Sequence, residues 1–119
     1  MSIDPVVLLE RYHAALNAYV AEEVAAMFAP QAVYASPGVN GRIEGRDAII
    51  AAFSAYFAEH PDQRAEDEQV TRVGPHEARA VWRLAATARS SGQRVTRRGI
   101  ETVRFGADGL ILDVEVEDR

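Results

Sequence analysis

The sequence predicts an α+β fold: three N-terminal helices packed on one face of a curved antiparallel β-sheet. Two observations carry this. As far as Pro61 the apolar residues recur at helical spacing, and beyond it they alternate. The second half is also punctuated by "GPHE", "SSGQ" and "GADG", turn-forming runs that separate four stretches of strand length. At 119 residues, 48% of them hydrophobic, the chain holds one core and one domain, 1–119.

Asp4 before Pro5 marks the first helix start, a capping side chain followed by a residue that needs no N–H. Leu8 or Leu9, Tyr12, Leu16 and Tyr19 or Val20 then form one apolar stripe. A second short helix over Glu22 to Phe28 turns Val24, Met27 and Phe28 inward and ends at Pro30. "AVYA", 32 to 35, is a short strand. "SPGVNGRIEG", 36 to 45, has loop chemistry, within which Arg42 to Glu44 can pair as strand. A third helix runs from Arg46 to His60 with Ile49, Ile50, Phe53 and Phe57 on one face, and Pro61 stops it. Strands are expected at Glu66 to Val73, Ala78 to Arg89, Arg94 to Phe105 and Leu110 to Glu117.

The strand faces narrow the function. One face of 78 to 89 reads Ala78, Ala80, Trp82, Leu84, Ala86, Ala88, apolar but rich in alanine, which suggests a void able to take a ligand. The other sets Arg79, Arg83 and Arg89 beside the acidic residues of the last strand, a face suited to cross-strand ion pairs or to a homodimer contact. Within "GIETVRF", Glu101 shares its face with Gly99, Val103 and Phe105, so a carboxylate is expected on the apolar wall. Burial there favours its neutral form, a hydrogen-bond donor.

Net charge is −5, and all thirteen basic residues are arginines with no dense stripe, which argues against nucleic-acid binding. There is no cysteine for a disulfide or a thiolate metal site. His13, His60 and His76 are scattered, His13 about 100° around the helix from Tyr12 and so expected at the surface. No metal and no cofactor are expected. No apolar run reaches membrane-spanning length and "MSIDPVVLLERYH" lacks a basic leader, so the expected location is cytoplasmic, without a membrane partner.

Taken in order, "RYHAALNAYVAEEVAAMFAPQAVYASPGVNGRIEGRDAIIAAF" and "RRGIETVRFGADGLILDVEV" resemble the nuclear transport factor 2-like superfamily, and within it SnoaL-like and ketosteroid-isomerase-like proteins. The resemblance implies a cone-shaped, cystatin-like sheet around the helices and an internal hydrophobic pocket for a small carbonyl or phenolic compound. It implies a homodimer through the outer sheet face. It places Tyr12 and Glu101 as the catalytic oxyanion-type donors, and puts Ser36 where the isomerases carry their catalytic aspartate. The pocket implied is lined by Leu16, Phe28, Tyr34, Ser36, Phe53, Phe57, Trp82, Val103, Val114 and Val116. Asp62, Asp67, Glu44 and Asp47 are the acids from which a base would have to come. The functions in play are an isomerase or cyclase, a binding module using the same pocket, and a dimeric assembly domain.

Overall fold

A computed structural model describes residues 3–37 and 41–119. Helix α1 (Pro5–Ala18) starts as the sequence predicts. The Asp4 carboxylate accepts hydrogen bonds from the Val6 and Val7 N–H groups at 3.1 and 3.4 Å, satisfying two donors that the first turn leaves open. The helix closes on Tyr19, whose φ of +26° is the only positive value at a non-glycine among the described residues. Its ring anchors that turn, stacked on Phe57 with centroids 4.2 Å apart and its hydroxyl 2.6 Å from Ser54 Oγ.

The second helix is shorter than its pattern suggests. Helix α2 covers Ala21–Ala25, and Phe28 already belongs to strand β1 (Phe28–Ser36). Pro30 therefore ends no helix. It sits at the irregular start of β1, where the pairing register shifts between Phe28 and Val33 and a missing N–H is tolerated. The short pairing segment is present as β2 (Gly41–Glu44), while residues 38–40 of the "SPGVNG" loop lie outside the described residues. Helix α3 (Arg46–Glu59) is followed by β3 (Arg64–Gly74), β4 (Glu77–Thr87), β5 (Arg94–Phe105) and β6 (Ile111–Asp118).

These six strands form one sheet in the order β2-β1-β6-β5-β4-β3. The expectation of a wholly antiparallel sheet needs one correction: β1 runs parallel to β6. The last hairpin carries β6 back alongside β1 across a connection that includes α3 and four strands, long enough for a parallel return.

Helix α1 lies across β3, β4 and β5, and α3 lies across β1 and β2. Ala78, Ala80 and Ala86 are fully buried. They do not leave a void of their own, since their methyl groups let α1 settle closely on β4. Gly99 has a similar role at shorter range. A Cβ added there would stand 2.5 Å from Trp82 Cζ2 and 2.6 Å from the Glu117 carbonyl oxygen, so only glycine lets the indole cross β5 at this point.

Candidate functional site

Because α1 covers three strands, the helix flank beside the Tyr12 stripe is covered too. His13 is therefore not at the surface: its side chain is 11% exposed. Its Nδ1 lies 2.6 Å from Asp67 Oδ1, and its Nε2 bonds Glu101 Oε1. This contact accounts for the glutamate on the apolar wall, which is 4% exposed.

Sheet register positions the two acids. Asp67 faces Trp82 across β3–β4, while Glu101 faces Ala80 across β4–β5. Both project toward α1 from strands on either side of β4, and the small Ala80 leaves room for the imidazole between them. The register shift between Asp67 and Gln69 is a bulge that inserts Glu68, whose carboxylate accepts from Arg98 Nη2 at 2.9 Å. It lets Ala65, Asp67 and Val70 all turn inward, where strict alternation would put Val70 on the other face.

Burial alone would depress the His13 pKa. The charge of Glu101 and the hydrogen bonds and charge of Asp67 and Glu101 outweigh it, raising His13 from 6.5 to about 10. At neutral pH the ring is an imidazolium donating from both nitrogens, and both carboxylates accept. A raised folded-state pKa gives stability that is fully present below the unfolded value. His13 thus contributes fully below pH 6.5, and its contribution falls as pH rises toward about 10. In urea titrations, the wild type should lose stability relative to a His13→Leu variant across that window, and the gap should be constant below it.

Asn17, one helical turn after His13, clips the helix to the edge strand. Its Nδ2 donates to the Ala65 carbonyl at 2.9 Å, and its Oδ1 accepts from the Ala65 N–H at 2.9 Å. The side chain pairs with β3 as another strand would, two residues before Asp67. Asn17→Ala should cost about 1–2 kcal/mol in denaturant midpoint analysis. It should also loosen the His13–Asp67 contact, seen as a downfield or upfield move of the bonded Nδ1 proton in NMR.

A cavity of about 100 Å³ opens beside this triad. His13 and Glu101 line it, together with seven of the residues expected there: Leu16, Tyr34, Ser36, Phe53, Phe57, Trp82 and Val116. Phe28, Val103 and Val114 are buried in the adjoining core and do not line it. Neither does Tyr12. Its ring meets Phe28 edge-on, its hydroxyl is buried with no hydrogen-bond partner among the described residues, and burial followed by the Glu101 charge pushes its pKa well above 10.0. Tyr34 does reach the cavity and packs against Phe53 with centroids 5.0 Å apart; burial, with Glu101 adding to it, raises its pKa too. Of the acids considered as a base, only Asp67 joins the triad. Asp62 instead accepts from the Thr87 N–H and hydroxyl, and Glu44 from Arg42. Tyr56 and Arg97 complete the far wall and were absent from the expected set.

The family model for the SnoaL-like domain matches residues 9–114. The chain belongs to the SnoaL-like domain family. Solved structures agree on its nuclear transport factor 2-like fold. A Mycobacterium tuberculosis protein in complex with estradiol-17beta-hemisuccinate is 20% identical, with TM-score 0.82 over 94% of this chain and 91% of that one. SalBIII, an epoxide hydrolase/cyclase-like enzyme of pyran ring formation in salinomycin, is 16% identical, with TM-score 0.83 over 94% and 88%. A putative polyketide cyclase from Xanthomonas campestris pv. campestris is 18% identical, with TM-score 0.80 over 92% and 85%. At these identities the likeness speaks for the fold alone. A sequence comparison with curated proteins finds no match.

The surface placement expected for His13 rests on its angle from Tyr12 and on a narrow apolar stripe. A helix lying over three strands buries a wider arc. His13 and Asn17, four residues apart, form a polar row on one flank, and that row was the available signal.

Proposed function

We propose that this SnoaL-like protein takes a small, mostly apolar carbonyl or phenolic compound into the cavity and transfers a proton on it, in isomerase- or cyclase-type chemistry. Glu101 is the base. The observation that carries this reading is a buried carboxylate opening into an aromatic cavity while an imidazolium grips one of its oxygens. His13 holds Oε1, and no hydrogen bond to Oε2 is formed among the described residues. A carboxylate so held keeps one oxygen for the ligand, within reach of a proton on it. Asp67 fixes the ring by taking its Nδ1 proton. Tyr12, the donor that the resemblance pairs with Glu101, is walled off from the ligand. The base thus falls to Glu101, since Ser36 cannot supply one. Proteins of this fold described as cyclase-like, or solved in complex with an estradiol derivative, support the ligand class.

A binding module is the second reading, favoured by Ser36 alone. The same proposal includes a homodimer through the outer sheet face, where the Arg83–Glu66, Arg98–Glu68 and Arg104–Asp113 pairs flank Val81 and Ile100. No helix among the described residues is long and apolar enough to cross a membrane.

The experiment is an NMR screen of single-ring enones and ketones in deuterated buffer. Binding with accelerated exchange of the acidic C–H supports the enzyme. Binding without exchange leaves the module, and absence of binding rejects the pocket reading.

A further inference from the structure

The cavity has a second pole. Arg97 lies on the same inward face of β5 as Glu101, four residues earlier and so roughly 13 Å along the strand. Gly99 stands between them with the Trp82 indole laid across it, and Arg97 Cζ sits 5.6 Å from the indole centroid. The Arg97 side chain is 22% exposed. Of its five N–H donors, one from Nη2 is taken by Asp118 Oδ1 at 2.6 Å, and the guanidinium still lines the cavity. Beside it is Tyr56. Its buried hydroxyl oxygen faces the Arg97 guanidinium, and its own O–H finds no acceptor among the described residues. Buried polar atoms are rarely left so, and a ligand oxygen is one way to complete them.

We propose that Arg97 and Tyr56 form the donor site for the ligand's oxygen, at the opposite end of the cavity from Glu101. This rests on the pocket reading above and deepens it. A cavity of about 100 Å³ lies well under the ~300–1,000 Å³ of drug-sized sites, so the ligand is a single ring. The oxygen and the acidic C–H then lie across that ring from each other, as in a conjugated cyclic enone. The balance is simple. Glu101 Oε2 takes the proton, the C–H electron pair moves through the conjugated system, and the carbonyl oxygen becomes a dienolate oxyanion. Arg97 and Tyr56 donate to that oxyanion, and Glu101 returns the proton to another ring carbon. The ligand is neutral at the start, so the acidic triad does not repel it. Negative charge develops only at the cationic end.

Para-nitrophenol tests the orientation, because its colour reports its ionisation. With its oxygen at Arg97 and Tyr56, the bound phenol ionises at lower pH than in water, by a tenfold or greater shift toward phenolate. Arg97→Gln should abolish that shift, Tyr56→Phe should reduce it, and Glu101→Gln should keep it. An oxygen seated against Glu101 would act as the donor, and the bound phenol would ionise at higher pH than in water. That result, or an unchanged ionisation on calorimetrically verified binding, overturns the proposal and leaves the pocket standing. Absence of binding heat with the wild type rejects both.

Discussion

Glu101→Gln lowers the rate of proton exchange on a bound cyclic enone by about 10²–10⁴-fold, the usual loss when a positioned acid–base group is removed. The amide keeps the size of the carboxyl group and an oxygen that can accept from His13 Nε2. Ligand affinity should therefore change only a few-fold, and the loss should appear in kcat rather than KM. The variant has a second effect. The Glu101 charge is the leading force that raises His13, so with it gone burial gains ground and the His13 pKa falls. Stopped-flow or NMR exchange rates at saturating enone, alongside calorimetric affinity, measure the split. Equal loss in affinity and rate would instead make Glu101 a binding residue.

His13→Leu is expected to cost about 3–5 kcal/mol of stability. Removing one partner of a buried pair leaves the other charge uncompensated, and here Glu101 is the group left behind. At about 4 °C per kcal/mol for a domain of this size, the melting temperature should drop by about 12–20 °C. The double variant His13→Leu with Glu101→Leu should recover part of that loss, because the more deeply buried carboxylate is gone and only Asp67, whose side chain is 19% exposed, remains unpaired under α1. A double-mutant cycle by calorimetry measures the coupling. If the single and double variants melt together, the pair contributes nothing beyond its parts.

The order of elements was legible because periodicity changes at Pro61 and each turn carries its own residues. Strand β5 is legible to its ends, since Arg94 and Phe105 sit directly against turn chemistry. Strand β1 was not. Phe28 and Pro30 look like the end of a helix, and only pairing with β6 makes them strand. The site divides in the same way. Alternation along one strand put Glu101 on the inner wall, and helical spacing put Leu16, Phe53 and Phe57 around the cavity. Contacts that join different elements left no such trace. Asp67 meets His13 because a helix crosses the sheet and because a bulge sets the strand, and neither is a local pattern. Tyr12 shows the converse. It lies on the expected stripe, yet Phe28 and His13 pack around it and the cavity begins one residue further around the helix.

The site turns on one cation, a buried imidazolium that holds Glu101 ready. Nitrogen-15 NMR titration of the imidazoles, with His13→Leu to assign the signals, tests it directly. The result predicted is that both His13 nitrogens stay protonated through neutral and mildly alkaline pH and titrate near about 10. Titration at or below about 6.5, the ordinary histidine value, would mean that no such cation sits between Asp67 and Glu101, and would contradict the account.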